Sequence, residues 1–150
     1  MRPFHPRGNA RSPLANINAD TIRRAEEAVG KLASQYRDWV RGDITKLRQS
    51  LTAAKAGGDA RDDAYREIRR LAHDLRGQGT TFGYPLVTRI AQSVSQTLKE
   101  RAPGANVDAQ LGAHVDAISA VIEGDIADAH SGDAAKIIEL LQLAIGRAVA

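Results

Sequence analysis

The sequence predicts an all-α fold, an up-and-down antiparallel four-helix bundle with an extended N-terminal helix and an additional C-terminal helix. Three observations support this prediction. Apolar residues recur at helical spacing, Gly and Pro interrupt that spacing, and no stretch of any length alternates apolar and polar residues as a strand does. The links between helices are short, which favours antiparallel neighbours.

The N-terminal residues 1–16 are predicted to form a flexible basic arm, because they contain prolines and arginines without periodicity. Residues 17–150 are predicted to form a single helical bundle, since 150 residues, 43% of them hydrophobic, suffice for one core but not for two comfortable domains. Asn18 is the expected N-cap, with Ile17 and Ile22 placed for a hydrophobic staple.

The first helical region extends from Ile22 to Leu51. Gly42-Asp43 leaves two possibilities, one long helix or two in line, because Gly is a weak helix former and Asp can cap a new helix. The apolar positions are Ile22, Val29, Leu32, Tyr36, Trp39, Val40, Ile44, Leu47 and Leu51.

Gly and Pro mark the remaining breaks. A second helix is expected from about Asp59 to the turn at residues 79–83, and a third from Pro85 to about Arg101. The fourth follows Pro103-Gly104, and its stripe continues to Ile126. His114 lies at the edge of that stripe and is expected to be a packing residue. A last helix follows residues 131–133 and is predicted to carry apolar residues as far as Val149.

Composition narrows the function classes. The absence of cysteine excludes disulfides and thiolate metal sites, and the four histidines are too far apart to form a zinc-binding pair on one helix, so no metal site is expected. No signal-peptide or membrane-length apolar run occurs, which predicts a cytoplasmic protein with no membrane partner.

The excess of basic residues makes a nucleic-acid partner worth considering, since the net charge is +3 and the sequence pI is about 9.5. Aromatic residues make up only 4%, no nucleic-acid motif is present, and arginines alternate with acids along the helices. A solvated mixed-charge surface is therefore the preferred interpretation, and nucleic acid is not the expected partner.

His73 stands out in the second helix. At about 100° per residue, Ala64, Ile68, Leu71 and Leu75 share one apolar stripe and His73 lies nearly opposite. Gly77 lies beside it one turn on, although Gly costs roughly 1 kcal/mol relative to Ala in a helix. Arg76 adds a fork of donors that suits phosphate oxygens. The pattern indicates a solvent-facing imidazole with a cleared flank and a cationic neighbour.

The stretch His73-Asp74-Leu75-Arg76-Gly77, with Gly83 ten residues after the histidine, resembles the motif of the histidine-containing phosphotransfer (HPt) domains, His-x-Leu-Lys/Arg-Gly and a second Gly. The specific resemblance covers about residues 68–98, with an HPt-like core of about 43–127. Ser95 stands where the family often has Gln or Glu. Similar apolar positions follow at Val87, Ile90, Ala91 and Val94.

This resemblance implies a phosphorelay intermediate without independent turnover. His73 would accept a phosphoryl group from a receiver-domain phospho-aspartate and pass it to another response regulator, with Arg76 stabilising the phosphoryl group. The expected partners are receiver domains and a hybrid histidine kinase, and magnesium is expected in the receiver only. The implied partner-binding residues are Gly77, Arg66, Arg69, Arg70 and Thr80; Ser95 and Gln92 are candidates for orienting the ring, and Gly83 for a structural turn.

Two alternatives remain from the residues. One is a kinase-like histidine dimerisation hairpin without an ATPase domain, because His73-Asp74 also resembles the sensor-kinase pattern. Kinase histidine helices usually carry a Pro soon after, and no Gly-rich phosphate loop is present here. The other is a helical module that only binds nucleic acid or another partner.

Overall fold

The structure is a computed structural model that describes residues 18–150. The predicted arm of residues 1–16 and the staple residue Ile17 lie outside this range. The described chain forms five α-helices: α1 Ala19–Ala54, α2 Gly58–Gln78, α3 Pro85–Glu100, α4 Ala105–Glu123 and α5 Gly132–Ile145.

The first four helices close a ring. Helix α2 packs between α1 and α3, and α4 packs against both α3 and α1, while α5 packs on the outside of α4. Residues 18–150 contain no strand. The predicted all-α bundle with an additional C-terminal helix is therefore confirmed.

Helix α1 is continuous over 36 residues. It passes through Gly42 and Asp43 without a break, because Val40, Ile44 and Leu47 on either side are all buried against the bundle. Their packing outweighs the roughly 1 kcal/mol that a helical Gly costs. Asn18 caps the helix as predicted, since its side chain accepts a 2.8 Å hydrogen bond from the Thr21 amide.

At three places the apolar pattern of the sequence extends further than the observed helices or the observed core. Helix α4 ends at Glu123, so Ile126 follows the helix and is only partly buried. Helix α5 ends at Ile145, where Gly146 adopts a left-handed conformation with φ 68°, and Val149 packs into the core from the segment beyond. Helix α1 is exposed before Tyr36, so its first apolar positions do not contribute to the core.

Aromatic rings close the end of the bundle where α2 turns into α3. Tyr36 on α1 stacks on Phe82 with ring centroids 4.9 Å apart and on Tyr84 at 5.7 Å. These contacts fix α1 against the turn that follows the helix of His73. No helix between residues 18 and 150 is both long enough and apolar enough to cross a bilayer.

Candidate functional site

His73 lies on the outer face of α2, five residues before the helix ends at Gln78. The opposite face is buried by Ala64, Ile68, Leu71 and Leu75. The predicted exposure of the His73 side chain is confirmed. The helix is held to the core by its leucine stripe, so the imidazole is presented to solvent on a rigid support.

The His73 ring makes no hydrogen bond to any other residue between 18 and 150. The two candidates for orienting it form no hydrogen bond with it. Ser95 is half-buried and donates to the Ala91 carbonyl oxygen at 3.4 Å, one turn back on its own helix, while Gln92 is exposed. Their role in orienting the ring stays a prediction, and both ring nitrogens are open to an incoming group.

Gly77 leaves open space beside His73. A Cβ added at Gly77 would have no heavy atom within 4 Å beyond its own local helix backbone. No packing contact inside the described structure therefore requires a glycine here. The prediction that this position provides a cleared flank agrees with that geometry.

Gly79, two residues on, is a packing requirement that sequence reasoning did not identify. A Cβ here would lie 2.5 Å from Thr88 Oγ1, 2.8 Å from the Thr88 nitrogen and 2.9 Å from the Tyr84 carbonyl oxygen. The end of α2 thus approaches the start of α3 too closely for any side chain. The glycine run in the sequence was the available signal, but it does not tell which glycine faces a neighbour.

Thr88 joins the end of α2 to α3, a role that sequence reasoning also missed. Its hydroxyl accepts from the Thr80 amide at 2.9 Å and donates to the Arg76 carbonyl oxygen at 3.2 Å. The Thr80 hydroxyl, predicted to bind a partner, donates to Thr88 Oγ1 at 3.1 Å. Gly83, the residue predicted to form a structural turn, has φ +90°, a left-handed conformation that favours glycine.

The arginines around His73 fall into two groups. Arg66 pairs with Asp63, and Arg70 pairs with Glu67 at 2.6 Å and with Asp74 at 3.5 Å. Arg69 and Arg76 are exposed and form no salt bridge with any residue of the described chain. Of the arginines predicted to contact a partner, Arg66 and Arg70 therefore carry partly neutralised charge.

An acidic side chain from α1 extends this charged surface. Asp43 is partly buried, and burial raises its pKa, as do the neighbouring carboxylates of Asp74 and Glu67, whereas Lys46 and Arg70 lower it. The sequence suggested Asp43 only as a possible helix start. The structure instead brings it to the side of α2 that carries Arg70 and Asp74.

The other described histidines differ from His73. His114 is fully buried: Nδ1 lies 2.7 Å from the Gln110 carbonyl oxygen and Nε2 lies 2.8 Å from Ser93 Oγ. Burial lowers its pKa to about 4, so it is a neutral packing residue as predicted. His130 is exposed between α4 and α5. Within residues 18–150, no three His, Cys, Asp or Glu side chains converge as a metal site requires.

The comparisons with known proteins give one match. The family model of the Hpt domain matches residues 31–145, a segment that contains His73 and extends beyond the predicted core of about 43–127 at both ends. Comparison with curated proteins and with solved structures gave no significant match. Because the matched segment covers well over half of the sequence, the chain belongs to the Hpt domain family.

Proposed function

We propose that His73 accepts a phosphoryl group from the phospho-aspartate of a receiver domain and passes it to the aspartate of another response regulator. Hpt domains act in histidine phosphotransfer with the receiver domains of two-component systems, so the family supports this class of reaction. The observation that carries the assignment to His73 is its exposure on α2 beside the open flank at Gly77.

The proposed step is an in-line displacement. The lone pair of an imidazole nitrogen of His73 attacks the phosphorus, the phosphorus–oxygen bond to the aspartyl group breaks, and the receiver carboxylate leaves with that electron pair. Such a transfer depends mainly on positioning and on stabilising charge at the equatorial oxygens. Arg76, exposed and one turn from His73, supplies a cation with a fork of donors for those oxygens.

The docking surface is proposed to centre on Gly77, Arg76 and Arg69. An acidic receiver surface would gain most from Arg69 and Arg76, because Arg66 and Arg70 are already paired with acids on their own helix. Thr80 lies at the edge of this surface, and its hydroxyl is hydrogen-bonded to Thr88. Magnesium and the acids that hold it are expected in the receiver, and a hybrid histidine kinase is the proposed source of the phosphoryl group.

The experiment is a two-step relay. The chain is incubated with a phosphorylated receiver, isolated, and then incubated with a second, unphosphorylated receiver. We expect acid-labile, base-stable phosphate on the chain after the first step and its loss to the second receiver afterwards. No labelling by any of a panel of phosphorylated receivers, with the chain folded by circular dichroism, would contradict the proposal.

A further inference from the structure

The N-terminal half of α1, residues 19–35, projects beyond the bundle and is here called the overhang. It carries large apolar side chains in solvent: Ile22 is 47% exposed, Val29 65% and Leu32 50%. With Ala25 between them, these residues follow alternating steps of three and four. That spacing is the a/d pattern of a coiled-coil seam, which packs against one other helix.

Most charged residues of the overhang lie away from this seam. Arg23 pairs with Asp20 at 2.6 Å and with Glu27 at 3.0 Å, and Arg24 pairs with Asp20 at 2.9 Å, all along the outer face of the helix. Of the positions that border the seam in a helical projection, Thr21, Ala28 and Ala33 are small and uncharged, whereas Glu26 is charged. A second identical seam could therefore approach closely, with Glu26 as the bordering charge that faces its own counterpart.

The seam lies on the same face of α1 as Tyr36, which is fully buried against Phe82 and Tyr84. The overhang therefore presents its apolar face to the space above the aromatic end of its own bundle. Trp39, 55% exposed and edge-on to Phe82, extends this apolar surface at the base of the overhang. Any helix that packs on this apolar face of the overhang has to end where the bundle begins.

We propose that the occupant is the overhang of a second copy of this chain, packed antiparallel. Each overhang is about 25 Å long at 1.5 Å per residue. Full antiparallel coverage puts the two-fold axis at residue 27, so that Val29 packs opposite the second copy's Ala25 and Ile22 opposite its Leu32. A parallel pair is sterically excluded, because the partner's bundle would occupy the face on which α2 and α4 pack against α1. The pairing leaves His73, on α2, outside the contact.

The association is tested by measuring molar mass against concentration for the full chain. We expect a dimer of about twice 16.1 kDa, with Val29→Glu raising its dissociation constant about 10-fold or more. Ser34→Glu, on the opposite face of the overhang, is the matched control and should dimerise like the unaltered chain. Because both positions are exposed, both variants should keep the same helical circular dichroism.

Three results would overturn the proposal: a full chain that stays monomeric at its highest soluble concentration, Val29→Glu that dimerises normally, or Ser34→Glu that dissociates equally. A monomeric full chain whose variant beginning at Asn18 dimerises would assign the seam to residues 1–17 of its own chain and overturn it too. Trp39, the single tryptophan, gives an independent signal, since its emission should shift with dimerisation.

Orientation is tested by cysteine cross-linking, for which the cysteine-free chain is a clean background. An equimolar mixture of Ile22→Cys and Leu32→Cys should form an intermolecular disulfide. Ile22→Cys alone should not, because antiparallel packing separates the two copies of residue 22 by about 15 Å along the helices, far beyond disulfide reach. Efficient cross-linking of Ile22→Cys alone would overturn the antiparallel arrangement.

Discussion

At the scale of single residues, Gly77 at the end of the phosphotransfer motif and Gly79 just beyond it have different roles. Gly77 has open space where a side chain would be, whereas Gly79 has Thr88 and Tyr84 within 3 Å of that point. The first is therefore available to a partner and the second is required by the fold. Substitution can separate the two roles.

Gly77→Gln is expected to weaken binding of a receiver domain, because the new side chain fills the flank beside His73. It should leave the free energy of unfolding unchanged or raise it by up to about 1 kcal/mol, given the poor helix propensity of Gly. Titration with an unphosphorylated receiver and chemical denaturation measure the two quantities.

Gly79→Ala is the matched control. Its added methyl group has to displace backbone atoms, so it should lower the free energy of unfolding by about 1–3 kcal/mol. If Gly77→Gln bound the receiver as tightly as the unaltered chain, the cleared flank would have no part in docking.

Arg76→Ala is expected to slow phosphoryl transfer about 10-fold to 100-fold, if the guanidinium lowers the barrier by about 1.4–2.7 kcal/mol. Receiver affinity should change less, since the charge acts mainly on the phosphoryl group in flight. Single-turnover transfer from a phosphorylated receiver measures the rate.

Arg66→Ala is the control for this prediction, because Arg66 lies on the same face of α2 but is already paired with Asp63. It should slow transfer little. Equal rate losses in the two variants would indicate a general effect of positive charge and contradict a specific role for Arg76.

At the scale of the helices, α1 shows how packing overrides local propensity. Gly42 is exposed, has no neighbour within 4 Å of an added Cβ, and lies inside an unbroken helix. Gly42→Ala should therefore raise the free energy of unfolding by about 0.5–1 kcal/mol. Thermal and chemical denaturation would show the change.

Gly83→Ala provides the opposite case in the α2–α3 turn, because its φ of +90° is strained for any L side chain. It should destabilise the protein even though open space surrounds the position. A destabilising Gly42→Ala would instead mean that α1 bends or breaks at Gly42 in solution.

The helices and their order were predictable because buried stripes repeat with the helical period and Gly or Pro separates them. The same periodicity could not show which part of each helix is buried by its neighbours. The apolar stripe of α1 has the same spacing before and after Tyr36, yet neighbouring helices bury it only from Tyr36 onward. The stripe of α4 continues past Glu123 to Ile126, although the helix ends first.

The parts of the site that lie on one helix were predictable from the sequence. The parts that form where two helices pack together were not. His73 and Gly77 share a face of α2, so their relation follows from spacing alone. Gly79, Thr88 and the position of Asp43 depend on how α2 packs against α3 and α1, which no local pattern encodes. The roles of Ser95 and Gln92 stay predictions, because neither side chain forms a hydrogen bond with His73.

At the scale of the whole molecule, His114 links the stability of the core to pH. Burial lowers its pKa to about 4, below the ordinary value of 6.5, so the unfolded chain binds the proton more tightly than the folded one. Stability therefore rises with pH through this window, and acidification from pH 7 to pH 4 should remove about 3 kcal/mol through this group.

His114→Gln keeps polar contacts to Ser93 and Gln110 within reach but does not titrate. The free energy of unfolding, measured by denaturation between pH 7 and pH 4, should fall less steeply in this variant. Hydrogen bonds from Arg61 and Tyr65 lower the pKa of Asp108. Carboxylates of this kind contribute equally to the curves of both proteins, so the difference between the two curves isolates the contribution of His114. Parallel curves would contradict a neutral buried imidazole.

The assignment of phosphoryl acceptance to His73 is tested most directly by labelling three proteins with one phosphorylated receiver: the unaltered chain, His73→Gln and His130→Gln. His130 is the exposed control outside the helices. We predict that the unaltered chain and His130→Gln take up acid-labile phosphate equally, while His73→Gln takes up none and keeps its helical circular dichroism. A folded His73→Gln protein that still accepts phosphate would contradict the assignment.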